Sequence, residues 1–470
     1  MTDEQQIRSL LTLAAELPDD IQPPVRPLLD RGRRERKLRA VLSVLSVLVI
    51  AAGALTLPPI IRALGPGQTS PGRPRIASGL FPAKPSQPHS GPSAAQLSRF
   101  RWSALLLSPL GPRSQPVLAW TGRELLELGG TKKGSTTSDG AAFNPATGRW
   151  RTIAPVRANV GFSHAVDVWT GHQLFLANGQ TESCPATPGV RQRLASCLPH
   201  AGLYDPAANR WTTTLLPRQL DGVNLIAAAW TGRQVILAGV RVVGAKGKLA
   251  IAAYAPSSNH WQIITPDLPA GHLAADLAMV ATPSRMLLWS LWSRTTQTSK
   301  NSYAVASGVD ILALGRDSRW NTLTGNWPQH QVVEGPVYGG GTVLIPPGQI
   351  WCGLCSHPAF YYPAYLANAA TLTRRTVPPG PLVAHPGLEP DIWLWNGATA
   401  LAANATDDTY GPAGVPRAWI SQMAAFDPAS RSWHTLPVPP GRPPIAASPI
   451  WAGRQLLLLT ANGKLLAFHA

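Results

Sequence analysis

Short apolar runs of strand length alternate with tight polar turns along most of this chain. Leu125-Leu126, Leu174-Phe175-Leu176 and Val235-Ile236-Leu237 each follow a turn of one type: Trp120-Thr121-Gly122-Arg123, Trp169-Thr170-Gly171-His172 and Trp230-Thr231-Gly232-Arg233. Trp395-Asn396-Gly397 and Trp451-Ala452-Gly453-Arg454 repeat it, and about Thr282 and Tyr338 weaker versions stand. A second turn follows each run. Phe143 to Arg149 ends at Trp150, Tyr204 to Arg210 at Trp211, Tyr254 to His260 at Trp261, and Phe426 to Ser432 at Trp433. Each places an aromatic seven residues before the Trp and a Pro five before it. The aromatic ends one strand, Asx-Pro or Ala-Pro begins a turn, and the Trp opens the return strand. Each unit therefore reads strand, turn, buried strand, variable loop, strand, turn, strand.

One such unit cannot bury its own apolar faces and needs neighbours. Counted by the Trp that opens the last strand, the units fall at Trp102, Trp150, Trp211, Trp261, Trp320 and Trp433. Leu372, seven residues after Tyr365, fills the long gap before Trp433, and Trp320 has Ala313 where an aromatic is expected. Both tallies give seven. They are offset, because Trp102 has a final strand without a preceding turn, and the unit at Trp451 runs out at Phe468. Pairing Phe100–Leu107 with the C-terminal unit removes two open edges together. The fold class predicted is all-β: a seven-bladed β-propeller over residues 96–470, closed by its N-terminal strand, with six or eight blades if a degenerate unit is miscounted.

The pattern upstream differs. Residues 1–39 form a polar segment, with a helix expected from about Glu4 to Glu16 that Pro18 stops. Residues 40–61 carry no charge and are long enough to cross a bilayer as a helix. Arg31, Arg33, Arg34, Arg36, Lys37 and Arg39 precede them, which predicts a cytoplasmic N-terminus and an extracytoplasmic C-terminal domain. A cleaved signal peptide is the rival, and a charged leader of this length favours an uncleaved anchor. Residues 62–95 are rich in Pro, Gly and Ser and read as a stalk.

Composition supports a turn-rich β protein. Among 470 residues there are 47 Pro, 42 Gly and 17 Trp, and only 14% are charged. Of the net charge of +17, the part carried by residues 97–470 is scattered, with no arginine-rich helix or basic-aromatic stripe, so nucleic acid is not an expected partner.

The repeats resemble the kelch-type repeat of the galactose-oxidase-like propeller superfamily over about residues 96–470. Gly129-Gly130, the aromatic and the spaced Trp carry the resemblance, while Gly339-Gly340-Gly341 sits elsewhere in its unit. The layout of tail, basic cluster, span and exported domain is similar to actinobacterial membrane proteins that accompany extracytoplasmic-function sigma factors.

Candidate chemistry is sparse. Cys184 with Cys197, and Cys352 with Cys355, are expected to form disulfides outside the cell. Metal binding by Cys352, Cys355 and His357 lacks a second ligand pair at zinc spacing. A redox motif in Cys352-Gly353-Leu354-Cys355 lacks the helix N-terminus that lowers a thiol pKa. A copper-radical site, implied by the superfamily's oxidases, would draw on Tyr361, Tyr362 and His357, which share one loop although ligands should come from several blades. Ser163-His164 would point to opposite faces of a strand. Asp407-Asp408 is placed in a solvated loop, and Asp205-Pro206 and Asp427-Pro428 lack the continuation of a sialidase-type Asp box. No catalytic residue, cofactor or metal site is expected. The function read from the sequence is an extracytoplasmic propeller on a single membrane span, binding a protein or glycan partner, with Thr181–Pro199, Arg294–Ser307 and Asn404–Trp419 as variable contact loops. Two alternatives are a signalling protein whose residues 1–39 engage a cytoplasmic regulator such as a sigma factor, and a carbohydrate-active oxidase or hydrolase.

Overall fold

The computed structural model describes residues 91–155, 165–177, 200–243, 246–264, 273–299, 302–315, 320–323, 336–350, 360–382, 392–408 and 417–470. Residues 71–242 and 247–470 belong to one compact unit. Among the described residues no helix is long and apolar enough to cross a membrane. The segment 40–61, where the sequence predicts a span, lies outside them, as does the helix expected from about Glu4 to Glu16.

Seven four-stranded antiparallel sheets form the seven blades of a β-propeller. Blade 1 comprises Val117–Trp120, Leu125–Leu128, Gly140–Asn144 and Arg149–Thr152. Blade 2 comprises Val166–Trp169, Leu174–Ala177, His200–Asp205 and Arg210–Leu215. Blades 3, 4, 5 and 6 begin at Val223–Trp230, Leu273–Ala281, Val337–Gly339 and Ile392–Trp395. Blade 7 takes Ile450–Ala452, Gln455–Leu459 and Lys464–His469 from the C-terminus, and its outer strand is Arg101–Leu107. In that pairing Arg101 lies opposite His469 and Trp102 opposite Phe468.

The second strands read as continuous apolar runs because both faces are covered, one by each neighbouring blade. In blade 1, Leu125 packs with Leu457, Leu459 and Leu465 of blade 7, while Leu126 and Leu128 pack with Leu174 and Leu176 of blade 2. In blade 2, Phe175 and Ala177 turn the other way, onto Val235 and Leu237 of blade 3. Further clusters of the same kind join blades 3 and 4, 4 and 5, 5 and 6, and 6 and 7. The first strands meet around the centre: that of blade 1 touches those of blades 2 and 7, and that of blade 3 those of blades 2 and 4.

The seven-residue turn repeats atom for atom in its main features. Asn144, Asp205 and Asp427 accept backbone N–H bonds from Ala146, from Ala207 and Ala208, and from Ala429, each through Oδ1. Two residues before the return-strand Trp is a position with positive φ: Gly148 at 64°, Asn209 at 46°, Asn259 at 49° and Arg431 at 55°. Gly and Asn reach this left-handed region at least cost.

The turn of blade 5 departs from the register expected. Ala367, rather than Tyr365, takes the aromatic's place, and Arg374, rather than Leu372, takes the Trp's place. Asn368 Oδ1 accepts from the Ala370 and Thr371 N–H groups, as its counterparts do. Leu372 falls at the left-handed position, with φ 61°. The physical reason is that the Asx residue sets the turn, and Asn368 lies one residue after Ala367. Blade 4 differs by length: its turn is one residue shorter, so Trp320 lies opposite Leu314 and not Ala313.

Two of the expected loops are sheet. Arg294 to Ser307 continues a long hairpin between Met286–Ser299 and Ser302–Leu314, with Arg294 opposite Ala306. Within Asn404 to Trp419, the ends are strand: Ala400–Asp408 pairs Arg417–Asp427. Asp407 and Asp408 therefore stand opposite Ala418 and Arg417 in a ladder and not in a solvated loop. Runs rich in Thr, Ser and Ala with few Gly or Pro extend the hairpin, because β-branched residues suit a pleated surface.

Candidate functional site: the axial cavity

Each clear first strand ends on an aromatic followed by a turn whose next side chain folds back on itself. Thr121, Thr170, Thr231 and Thr282 accept through Oγ1 from the N–H of the residue three on. Asn396 does the same in blade 6, its Oδ1 accepting from the Thr399 N–H at 2.7 Å. These turns fix where the chain reverses, and so fix the last three residues of each first strand against the axis. The same end of the propeller carries the seven-residue turns, since both connect consecutive antiparallel strands in the same direction. The extended hairpins of blades 4 and 6 lie at the opposite end.

At the turn end, first strands from blades 1, 2, 5, 6 and 7 line a cavity of about 320 Å³. Trp120, Trp169, Trp395 and Trp451 contribute to its wall, with apolar residues such as Leu118 and Leu394. Trp395 is fixed, its Nε1–H donating to the Gly339 carbonyl at 2.7 Å. The Trp451 indole nitrogen is buried with no acceptor among the described residues, so this side chain offers ring surface and no available donor.

One lining residue carries charge. Asp167 lies two residues before Trp169 and faces the same cavity. The residues two before the corresponding turn aromatic, or before Ala281 in blade 4, are Leu118, Ala228, Met279, Pro336, Trp393 and Pro449. Blade 2 alone places a carboxylate there. Part of Asp167 is open to the cavity, while protein encloses it elsewhere. That enclosure penalises the charged form and pushes the carboxyl up to about 7. Among the described residues no hydrogen bond or ion pair offsets it.

The repeat tryptophans named from the sequence do different work. All but Trp320 lie across from an aromatic of their own blade: Phe143–Trp150 at 5.1 Å between centroids, Tyr204–Trp211 at 5.2 Å, Tyr254–Trp261 at 4.6 Å and Phe426–Trp433 at 5.2 Å. In blade 7 the pair is Trp102–Phe468 at 5.1 Å, drawn from opposite ends of the chain. Each indole N–H then donates to the blade before it. Trp211 donates to the Ala154 carbonyl at 2.8 Å, Trp433 to Pro378 at 2.9 Å, Trp102 to Pro437 at 2.8 Å and Trp150 to Leu106 at 3.4 Å. Trp261 donates to Thr214 Oγ1 at 3.3 Å. Trp320 is the exception, its Nε1 buried with no partner among the described residues.

Four further polar side chains, unremarked in the sequence, fasten the passage from blade 7 to blade 1. Arg113 has a fully buried side chain that donates to Asp139 Oδ1 at 2.8 Å and to the carbonyls of Gly129 and Leu110. Glu127 lies beside it, 3.4 Å from Nε, and accepts from Ser108 Oγ at 2.6 Å. Burial holds the Glu127 carboxyl above its ordinary range, against the pull of Ser108 and Arg113. The Arg113 bond holds Asp139 below its own. Gly129-Gly130 serves the same junction: with φ 89° at Gly130, a Cβ there would sit 2.7 Å from the Ser114 carbonyl. Between blades 1 and 2, Arg151 bridges Glu124 at 2.6 Å and the Tyr204 hydroxyl at 3.0 Å. Asp167 and Glu127 stand out when the units are stacked and read down each column, since each is a carboxylate in an otherwise uncharged column; Arg113 lies between blades 7 and 1 and belongs to no column.

Cys184, Cys197, Cys352 and Cys355 lie outside the described residues, as do Ser163-His164, His357 and Thr181–Pro199. Tyr361 and Tyr362 fall in a short strand, Phe360–Tyr362, paired with Gly348–Ile350. Asp205 and Asp427 are committed to their turns, and the backbone bond from Ala429 lowers the Asp427 carboxyl. Among the described residues no group of three His, Cys, Asp or Glu could hold a metal ion. No known protein-family model matches the chain, and no curated protein matches it.

Proposed function

We propose that this chain is a binding protein: a propeller held outside the cell by one membrane span, which takes a protein or glycan partner at the turn end of its axis. The observation that carries the reading is the cavity, where five blades bring four Trp and a single carboxylate together. Convergence of distant blades on an aromatic-lined hollow is what a binding propeller needs. The pairing of Arg101–Leu107 with Lys464–His469 supports a ring fastened by its N-terminal strand, and so a rigid wall for that hollow. The uncharged segment 40–61 behind a basic cluster supports the anchor.

Two measurements test this. Protease added to intact cells should digest residues 91–470 while an epitope at Met1 survives. Loss of the epitope, or protection of the whole chain, would contradict the topology. The full-length chain in nanodiscs, screened on glycan and peptide arrays, should show saturable binding that Trp169→Phe weakens about tenfold, roughly 1.4 kcal/mol. No saturable ligand, or binding indifferent to that substitution, would remove the reading.

A further inference from the structure

We infer that the axial cavity is a site for an organic ammonium cation, held by Asp167 among Trp120, Trp169, Trp395 and Trp451. The inference deepens the binding function proposed above and rests on it.

The polar inventory of the wall decides the ligand class. Asp167 is the only titratable residue among the described residues that line the cavity. An anionic ligand would meet its charge unscreened. A hard metal ion takes six or more oxygen ligands, or near-octahedral geometry, and this wall supplies one carboxylate side chain. An uncharged sugar finds few directional partners, since the indole N–H of Trp395 is spent on Gly339 and that of Trp451 is buried, leaving the carboxylate and the indoles of Trp120 and Trp169. An alkylammonium needs the two things present. Its charge pairs with the carboxylate, and its weakly hydrated carbon shell lies on indole faces, whose quadrupole attracts cations. The volume of about 320 Å³ is ample for an ammonium head group.

The cost of Asp167 points the same way. A carboxylate in this enclosure, with no partner among the described residues, is a standing liability, and the six equivalent positions avoid it. A bound cation removes the liability by supplying the missing charge. Binding is then linked to ionisation, since only the deprotonated carboxyl attracts the ligand.

The same ammonium chemistry occurs in a free quaternary amine and in a lysine side chain of a partner. Titration calorimetry of the full-length chain in nanodiscs, with choline chloride in one arm and an Nα-acetyl-lysine amide in the other, separates them. At pH 8 at least one probe should bind saturably. At pH 6 the apparent affinity should fall about tenfold, because about a tenth of the carboxyls remain ionised. At pH 7, paired buffers of different ionisation enthalpy should report about half a proton released per ligand. Asp167→Asn should bind at least tenfold more weakly and lose the pH dependence while keeping its fold. Choline alone binding assigns a free amine, and the lysine amide alone a protein partner; binding of both assigns the ammonium group itself. Neither binding at pH 8, or equal binding by Asp167→Asn, overturns the inference. If an array ligand still binds when both amines fail, only the cation assignment falls. If nothing binds, the binding function falls with it.

Discussion

Blades 2 and 5 both break the repeat, and the chain treats the two breaks differently. In blade 5 the return-strand Trp is replaced by Arg374, which lies opposite Ala367. The loss is repaired locally: the guanidinium sits over the Tyr365 ring at 5.1 Å, and the Asx turn at Asn368 is kept. In blade 2 the break is Asp167, a carboxylate in a column of apolar residues and Pro. Among the described residues no side chain answers it, and its burial raises its carboxyl to about 7. A repaired break is a substitution the fold has absorbed. An unrepaired one, facing a cavity, keeps its cost for a ligand to relieve.

The comparison predicts effects of decreasing size. Asp167 binds its proton more tightly folded than unfolded, so the folded state holds more protons between about pH 4 and 7 and loses stability as pH rises through that window. A rise of about three units, discounted for the part of Asp167 open to the cavity, corresponds to about 2–4 kcal/mol. Asp167→Asn should recover that amount at pH 8 and almost none near pH 4, read from denaturant unfolding at both. An equal gain at the two pH values would show that charge is not the cause.

Gly148 comes next. A methyl group there meets nothing within 4 Å, so Gly148→Ala isolates backbone strain at φ 64° and should cost about 1–2 kcal/mol. Leu372→Ala, at the equivalent site of blade 5, adds no such strain because Leu372 already bears it. The inter-blade rivets follow. Trp433→Phe should cost about 1 kcal/mol more than Trp320→Phe, since only Trp433 has an indole hydrogen bond to lose. Equal costs would deny the rivet. Smallest is Arg374→Leu, expected to cost about 0.5–1 kcal/mol through the lost contact with Tyr365. No cost would mean that blade 5 needs no repair.

Much of the fold was legible because it is built from a repeated local device. The Asx turn, the aromatic and the Trp each act within eight residues, so their spacing survives in the sequence. Blade 5 misled because its Trp column holds Arg374 and its left-handed position holds Leu372, where nearby Tyr365 suggested a register two residues off. The hairpins around Arg294 and Asn404 read as loops because strand extension depends on pairing with a distant partner, which local pattern does not carry. The site was least legible. A column of the stacked units marks Asp167 as unusual, but the cavity that the first strands of blades 1, 5, 6 and 7 build with it is a tertiary fact. Ser108, Arg113 and Glu127 were hidden likewise, since burial, and not residue type, makes them a fastening.

Asp167 stands on the wall of the axial cavity with no partner among the described residues. Infrared difference spectra of the full-length protein, taken across pH and compared with Asp167→Asn, test it most directly. The account predicts a protonated carboxyl band, absent from the variant, that titrates near pH 7. A wild-type spectrum matching the variant at every pH above about 5, where ordinary carboxyls are already ionised, would contradict it.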